Sequence, residues 1–271
     1  MNMKKVSKSL LFERYSHENI HPYSTSTSKL IEEMIKEYLR WARSFSLCDL
    51  GCGDGAVIFA LHSQGLLEAA EKIVGVDLSS ERIEHLNQLK KAGVKRLIGI
   101  VSDACSVKQF TDESFDLIIC SQVVEHIHNQ KALVKEIYRL LKPNGKAYVS
   151  SVIRKWPGIW IYRNNGRWVL DPTHVHEYSS KEEFVSLLKE NGLIPIQVKV
   201  TVCAFPIWDM LIRLLIKSRI ISPSKGRELF LSTSSLRLLL TKLRFPILGF
   251  YIIEAICNRA QFSVGVSDEA S

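Results

Sequence analysis

Four things are missing from this chain, and each absence removes a class of protein. No two of the six cysteines stand as C-x-x-C; they sit singly at positions 48, 52, 105, 120, 203 and 257, mostly in apolar, strand-like runs. That argues against a zinc site or a disulfide framework and for buried free thiols in a reducing compartment. No run of eighteen or more uncharged apolar residues occurs, so no transmembrane helix is expected. The basic start (Lys4, Lys5, Lys8) is followed only by Leu10-Leu11-Phe12, too short an apolar stretch for a signal peptide. No G-x-G-x-x-G loop of the dinucleotide kind is present. The reading is a cytoplasmic protein of 271 residues with 46% apolar content. That length suits one large α/β domain with additions, or two small ones.

The chain does carry Cys48-Asp49-Leu50-Gly51-Cys52-Gly53-Asp54-Gly55, placed between two apolar runs. Ser44-Phe45-Ser46-Leu47 before it reads as a buried strand. The run from Ala56 after it stops at Gly65, as a helix with a glycine C-cap would. Alternate glycines allow positive φ and close approach of a ligand, and the helix N-terminus turns its free N–H groups toward that ligand. An acid just before the loop disfavours a pyrophosphate. It would accept a ligand that carries an ammonium group and a ribose.

Further strand–helix units follow. Lys72-Ile73-Val74-Gly75-Val76 ends in Asp77, about twenty residues past the last glycine, where an acid can hold ribose hydroxyls. It could instead cap the next helix, a task open also to Ser79 or Ser80; that helix runs from Ser80 to Ala92. A third strand, Arg96 to Val101, leads to Asp103. A fourth begins at Asp116, and Ser121-Gln122-Val123-Val124-Glu125-His126 follows it. A helix over Gln130–Leu141 precedes a Pro143-Asn144-Gly145 turn and a fifth strand, Lys146–Val152.

These motifs, in this order over about residues 46 to 152, resemble the class I S-adenosylmethionine-dependent methyltransferases, and residues 174 to 200 do so more loosely. The resemblance implies an α/β fold: a doubly wound, mostly parallel, seven-stranded Rossmann-like sheet with a helical insertion before the last strand. It implies S-adenosyl-L-methionine as cofactor, bound by Asp49, Gly51, Gly53, Gly55, Asp77, Leu78, Asp103, Ala104 and Ser121. For Asp103 a solvated loop acid is the plain alternative. The ubiquinone-pathway O-methyltransferases are similar after the fourth strand, where acid-x-x-Glu-His holds a divalent metal. Gln122 departs from that acid, so no obligatory metal is expected.

The organisation expected is an arm over 1–28, a cofactor-binding domain over 29–203 and 247–260, a helical insertion over 204–246 and a disordered tail over 261–271. A helix over Lys29–Arg43 with Ser28 as N-cap starts the domain. Residues 153 to 178 interleave Trp156, Trp160, Tyr162 and Trp168 with arginines and could stack nucleobases or form a lid. Ser179 or Ser180 caps the next helix, a sixth strand covers Leu193–Val202, and Tyr251–Cys257 suits the antiparallel seventh. In the insertion, Ile207–Ile221 is apolar except for the stripe Asp209, Arg213 and Lys217, and Leu229–Arg244 reads as a second helix. The stretch from Phe205 to Arg244 carries +6 of the chain's +8 net charge.

Methyl transfer needs an in-line nucleophile and exclusion of water. A hydroxyl acceptor gains from a base, and His126, His174 and His176 are the candidates. The last two alternate, so in an extended loop at most one faces inward. The expected acceptor is a small, lipid- or quinone-like molecule, with peripheral membrane contact through 205–244. Two alternatives stay open: a non-catalytic cofactor-binding partner subunit and an RNA methyltransferase. Nucleic acid is disfavoured, because the N/D-P-P-Y/F motif of amino-methylating enzymes is replaced by Ser121-Gln122-Val123-Val124.

Overall fold

The computed structural model describes residues 27–164, 166–222 and 242–260, and isolated positions between 225 and 240. Most of the expected arm and of the second insertion helix, and the tail, lie outside the described residues. Seven strands form one sheet in the order β3-β2-β1-β4-β5-β9-β8. They are β1 Phe45–Leu50, β2 Ala70–Asp77, β3 Leu97–Val101, β4 Phe115–Ser121, β5 Leu141–Arg154, β8 Leu193–Pro206 and β9 Arg244–Arg259. Only β9 runs antiparallel to its neighbours β5 and β8. A separate hairpin, β6 Tyr162–Asn164 with β7 Arg167–Val169, follows β5.

Alternation along the strands builds two cores. Cys48, Leu50, Val74, Val76, Ile118 and Val149 face one side, with Leu133 and Ile137 of helix α4 (Gln130–Leu140) and Phe184 of α5 (Lys181–Glu190). Leu47, Ile73, Leu117, Ile119 and Tyr148 face the other. That side is covered by α1 (Lys29–Tyr38), α2 (Ala56–Ser63) and α3 (Ser80–Gln88). Each fully buried Leu, Ile or Phe contributes roughly 1.5–3 kcal/mol, so two buried faces per strand explain the near-continuous apolar runs.

Ser28 caps α1, as expected, by accepting the Leu30 N–H, but the helix stops at Tyr38. The Tyr38 hydroxyl donates to Asp116 Oδ1 (2.8 Å), while Ser46 N–H and Lys142 Nζ reach Oδ2 (both 2.8 Å). Asp116 thus ties α1, β1, β4 and β5 together at the end of the sheet away from the glycine turn. Burial works against its charge, yet these donors hold its carboxyl below the usual range. Pro143-Asn144-Gly145 does not separate α4 from a new strand. It bulges within β5, whose pairing with β4 jumps from Leu141 to Lys146. Ser180 is the cap of α5.

The sixth and seventh strands of the sheet are longer than expected, Leu193–Pro206 and Arg244–Arg259. Phe205 pairs with Phe245 and Pro206 with Arg244, so the insertion is rooted on a strand pair. Arg244 therefore belongs to β9 and not to a helix. Helix α6 spans Ile207–Lys217, shorter than expected, and the chain reverses at Arg219 with φ 57°.

Candidate active site

One cavity of about 440 Å³ opens at the carboxyl ends of β1, β2 and β4, roofed by the hairpin segment and α6. Ten of the expected site residues line it: Asp49, Gly51, Gly53, Asp77, Leu78, Asp103, Ala104, Ser121, His126 and His174. Gly55 and His176 are not among its lining residues. A Cβ on Gly55 would lie 2.5 Å from Leu86 Cδ1 and 2.8 Å from Leu89 Cδ1, so this glycine at φ 86° lets α3 pack under the turn. The His176 side chain turns out to Glu183 (Nε2 to Oε1, 3.0 Å).

The turn is held from β2. The N–H groups of Gly51 and Cys52 donate to the Val76 carbonyl (2.7 and 3.0 Å). Asp77 accepts from Gly53 N–H at Oδ2 (3.0 Å) and from Ser79 N–H at Oδ1 (2.9 Å), while Ser79 caps α3. Asp77 therefore braces the turn and also presents a carboxylate to the cavity. Asp49 lies beneath, 1% exposed, with Oδ2 buried and without a hydrogen-bond partner. Burial, with the nearby Asp77 charge, pushes its pKa up to about 7. A buried, unsatisfied carboxylate needs a donor or a cation. The ammonium group of S-adenosylmethionine has that chemistry, so the residues present fit the cofactor.

The acceptor side is built by the 3-10 turn Val124–His126 after β4 and by the lid segment 170–178. Gln122 sits at φ 56°, its Nε2 donating to Ser150 Oγ (3.1 Å). The Thr173 hydroxyl donates to Asp171 Oδ1 (2.6 Å) and also lies 2.8 Å from His126 Nδ1. With its one proton given to Asp171, Thr173 Oγ1 can only accept, so Nδ1 carries the imidazole proton and Nε2 keeps a lone pair. Asp171 is itself fixed, its Oδ1 accepting the Thr173 N–H (2.9 Å). Burial and the neighbouring His174 lower the His126 pKa to about 4, so the ring is neutral.

His174 is driven the other way. Burial opposes its charge, but the hydrogen bond from Nδ1 to Glu177 Oε1 (2.7 Å) and the charge of Glu125 outweigh it and raise its pKa. The two rings are 4.8 Å apart. Glu125 is fully buried; Ser151 Oγ donates to its Oε2 (2.8 Å), and burial raises its pKa. The two adjacent imidazoles thus have pKa values pushed apart, His126 downward and His174 upward.

Glu125, His126 and His174 turn ligand atoms toward one point, all within 4.8 Å of one another. One carboxylate and two imidazoles do not fit the hard divalent cation that the resemblance suggests, which wants oxygen ligands. Gln122 is committed to Ser150, and His174 gives its Nδ1 to Glu177. Sequence reasoning missed Thr173 and Asp171, which position His126, and Glu177, which positions His174. The Asx-turn pattern of Asp171-Pro172-Thr173 is a visible signal for the turn but not for its partner 47 residues away.

Residues 48–149 match the family model described as "Methyltransferase domain". Among curated proteins, the ubiquinone biosynthesis O-methyltransferase of Rickettsia akari is 25% identical over 154 residues, covering 55% of this chain and 58% of that one. Its counterpart in Rickettsia felis is 26% identical, with 65% and 75% covered. The chain thus spans only part of the length of these relatives. An N-methyltransferase of Haemonchus contortus, solved with phosphomonomethylethanolamine and S-adenosylhomocysteine, superposes with a TM-score of 0.57 at 18% identity. That match covers 95% of this chain and 58% of the other, and it speaks to the fold. The sheet order, the glycine turn with its acids and the family match over residues 48–149 give this chain a methyltransferase domain with the class I, Rossmann-like sheet.

Proposed function

We propose that the enzyme moves the methyl group of S-adenosylmethionine to a hydroxyl of a small, lipophilic acceptor. The observation that carries this reading is a neutral imidazole of fixed tautomer, His126, in the same cavity as the glycine turn and the unpartnered Asp49. Asp49 takes the ammonium group of the cofactor, Asp77 the ribose hydroxyls and Asp103 the adenine amino group. The bound sulfonium supplies an activated methyl group. His126 Nε2 takes the proton of the acceptor hydroxyl as oxygen replaces sulfur on the methyl carbon. General-base assistance of this kind is worth about 10²–10⁴-fold. His174, held by Glu177, keeps His126 uncharged, and Thr173 and Asp171 keep its lone pair available.

Trp160, Leu170, Phe205 and Ile127 give the cavity an apolar wall, which supports a lipophilic acceptor. Around the same end of the sheet, Trp156 is 94% and Leu248 62% exposed, near Lys155 and Arg154. Hydrogen bonds from Lys155 N–H to Gly249 O (2.8 Å) and from Ile159 N–H to Leu248 O (3.2 Å) join these segments. Exposed aromatics among cations favour an anionic membrane surface from which such an acceptor would enter. No helix of the described residues is long and apolar enough to cross a membrane. Nucleobase stacking by the lid has less support, since Trp160 is buried and Trp168 is covered by Arg163 at 4.0 Å.

Calorimetry with S-adenosylhomocysteine tests the cofactor half. Micromolar affinity, roughly −8 kcal/mol, is expected. Asp77→Ala should weaken it by about 1.5–3 kcal/mol. A wild-type protein that does not bind would overturn the reading.

A further inference from the structure

Helix α6 departs in part from the usual rule for a surface helix: Ile212 is buried as expected, but two charged residues also face inward. Its charged stripe lines the cavity through Asp209 and Arg213, while Leu211 and Leu214 are 44% and 49% exposed. An amphipathic helix normally does the reverse, so the inward charges need a reason. Arg213 has Nε buried without a hydrogen-bond partner, and its guanidinium lies 5.8 Å from the Phe205 ring centroid. Phe205 in turn stacks on Trp160 at 5.6 Å and 27°. Leaving a donor of a charged group buried and unsatisfied costs free energy that a ligand can recover. The acids Asp49, Asp77 and Asp103 lie on the opposite wall, at the strand tips. The strand-tip wall is therefore acidic and suits a cation with hydroxyls, while the roof holds Arg213, with the already partnered Asp209 one turn away, beside an aromatic surface.

We propose that Arg213 recognises an anionic group on the acceptor, a carboxylate or a phosphate, joined to an apolar body lying along Trp160, Phe205 and Leu170. This rests on the methyltransferase reading above and adds to it the charge of the acceptor. A guanidinium offers paired donors to either oxyanion. Its place on α6, away from the turn, assigns it to the acceptor and not to the cofactor. The anion also explains why a lipophilic cavity holds a half-buried arginine where a leucine would pack.

The test uses the whole protein loaded with S-adenosylhomocysteine, titrated calorimetrically with octanoate, octyl phosphate, octanol and inorganic phosphate. The expected result is at least tenfold tighter binding of octanoate or octyl phosphate than of octanol, with inorganic phosphate binding weakly for want of an apolar body. Whichever of the two amphiphiles binds more tightly names the anion. In Arg213→Met the preference over octanol should fall to within about twofold while S-adenosylhomocysteine affinity is kept, which also shows that the variant is folded. Arg213→Lys should keep part of the preference. Equal binding of octanol by the wild type, a preference that survives Arg213→Met, or loss of S-adenosylhomocysteine affinity in Arg213→Met with Arg213→Lys unaffected would each overturn the proposal. Failure of the wild type to bind S-adenosylhomocysteine would overturn the cofactor reading and this proposal together.

Discussion

Replacing Asp49 by Asn should make the ligand-free protein more stable and the cofactor complex weaker, and the two effects have one cause. Asp49 is buried with an unpartnered oxygen, and its pKa rises from 3.8 to about 7 on folding. A carboxyl whose pKa is raised holds its proton more tightly in the folded state. The fold therefore loses stability as pH climbs from about 4 through 7, by about 1.4 kcal/mol per unit. Above pH 7 the full penalty is on the order of 4 kcal/mol. Asn removes the charge but leaves a buried amide, so a net gain of about 1–3 kcal/mol at pH 8 is expected, against none at pH 4. That corresponds to a rise in Tm of several degrees. The same change removes the partner of the cofactor's ammonium group, which should weaken S-adenosylhomocysteine by about 1.5–3 kcal/mol, roughly tenfold or more. In the wild type, binding needs the ionised carboxylate, so Kd should rise up to about tenfold per pH unit below 7 and level off above it. Differential scanning fluorimetry at pH 4 and 8 and calorimetry from pH 6 to 8 measure both. A variant that melts lower at pH 8 and binds with unchanged, pH-independent Kd would refute the reasoning.

Other outcomes follow from the same geometry. His126→Ala should lower turnover about 10²-fold or more with little change in S-adenosylhomocysteine affinity, whereas His176→Ala should change neither, as steady-state kinetics and calorimetry would show. Because burial holds His126 near pKa 4, the acid limb of kcat at saturating S-adenosylmethionine should fall near 4 and not near 6.5, while the loss of cofactor affinity below pH 7 belongs to Asp49. Thr173→Val should lower turnover while Thr173→Ser restores it, with the tautomer of His126 read from its ring ¹⁵N shifts. Gly55→Ala should cost about 1–3 kcal/mol in chemical denaturation from overlap with Leu86 and Leu89 alone. Replacing Trp156 and Leu248 by Ser should weaken flotation with anionic vesicles at low salt, and a wild type that stays off such vesicles would remove the membrane contact.

The sheet was legible because its signals are local. Runs such as Phe115–Ser121, buried on both faces, state their period and their burial together. The glycine turn announces positive φ, which Gly51, Gly53 and Gly55 all adopt. The edge strand β8 is expected to end at Val202, yet it continues through Cys203-Ala204-Phe205-Pro206, because its length is set by pairing with the distant β9 and no local pattern marks that end. Gly55 shows that a motif glycine can serve helix packing while its neighbours face the cavity. The alternation of His174 and His176 did separate them, one in the cavity and one at Glu183. What no local pattern could supply was the closure of the lid: His126 meets Thr173, and Phe205 meets Trp160, only when distant segments fold over one mouth.

The central claim, methyl transfer within this cavity to an apolar acceptor, is tested most directly by supplying S-adenosylmethionine with a deuterated methyl group and a cellular lipid extract. Mass spectrometry should find a labelled, solvent-extractable methyl ether and an equal amount of S-adenosylhomocysteine, both nearly abolished in His126→Ala. Cofactor binding without any labelled product, or undiminished product from His126→Ala, would contradict it.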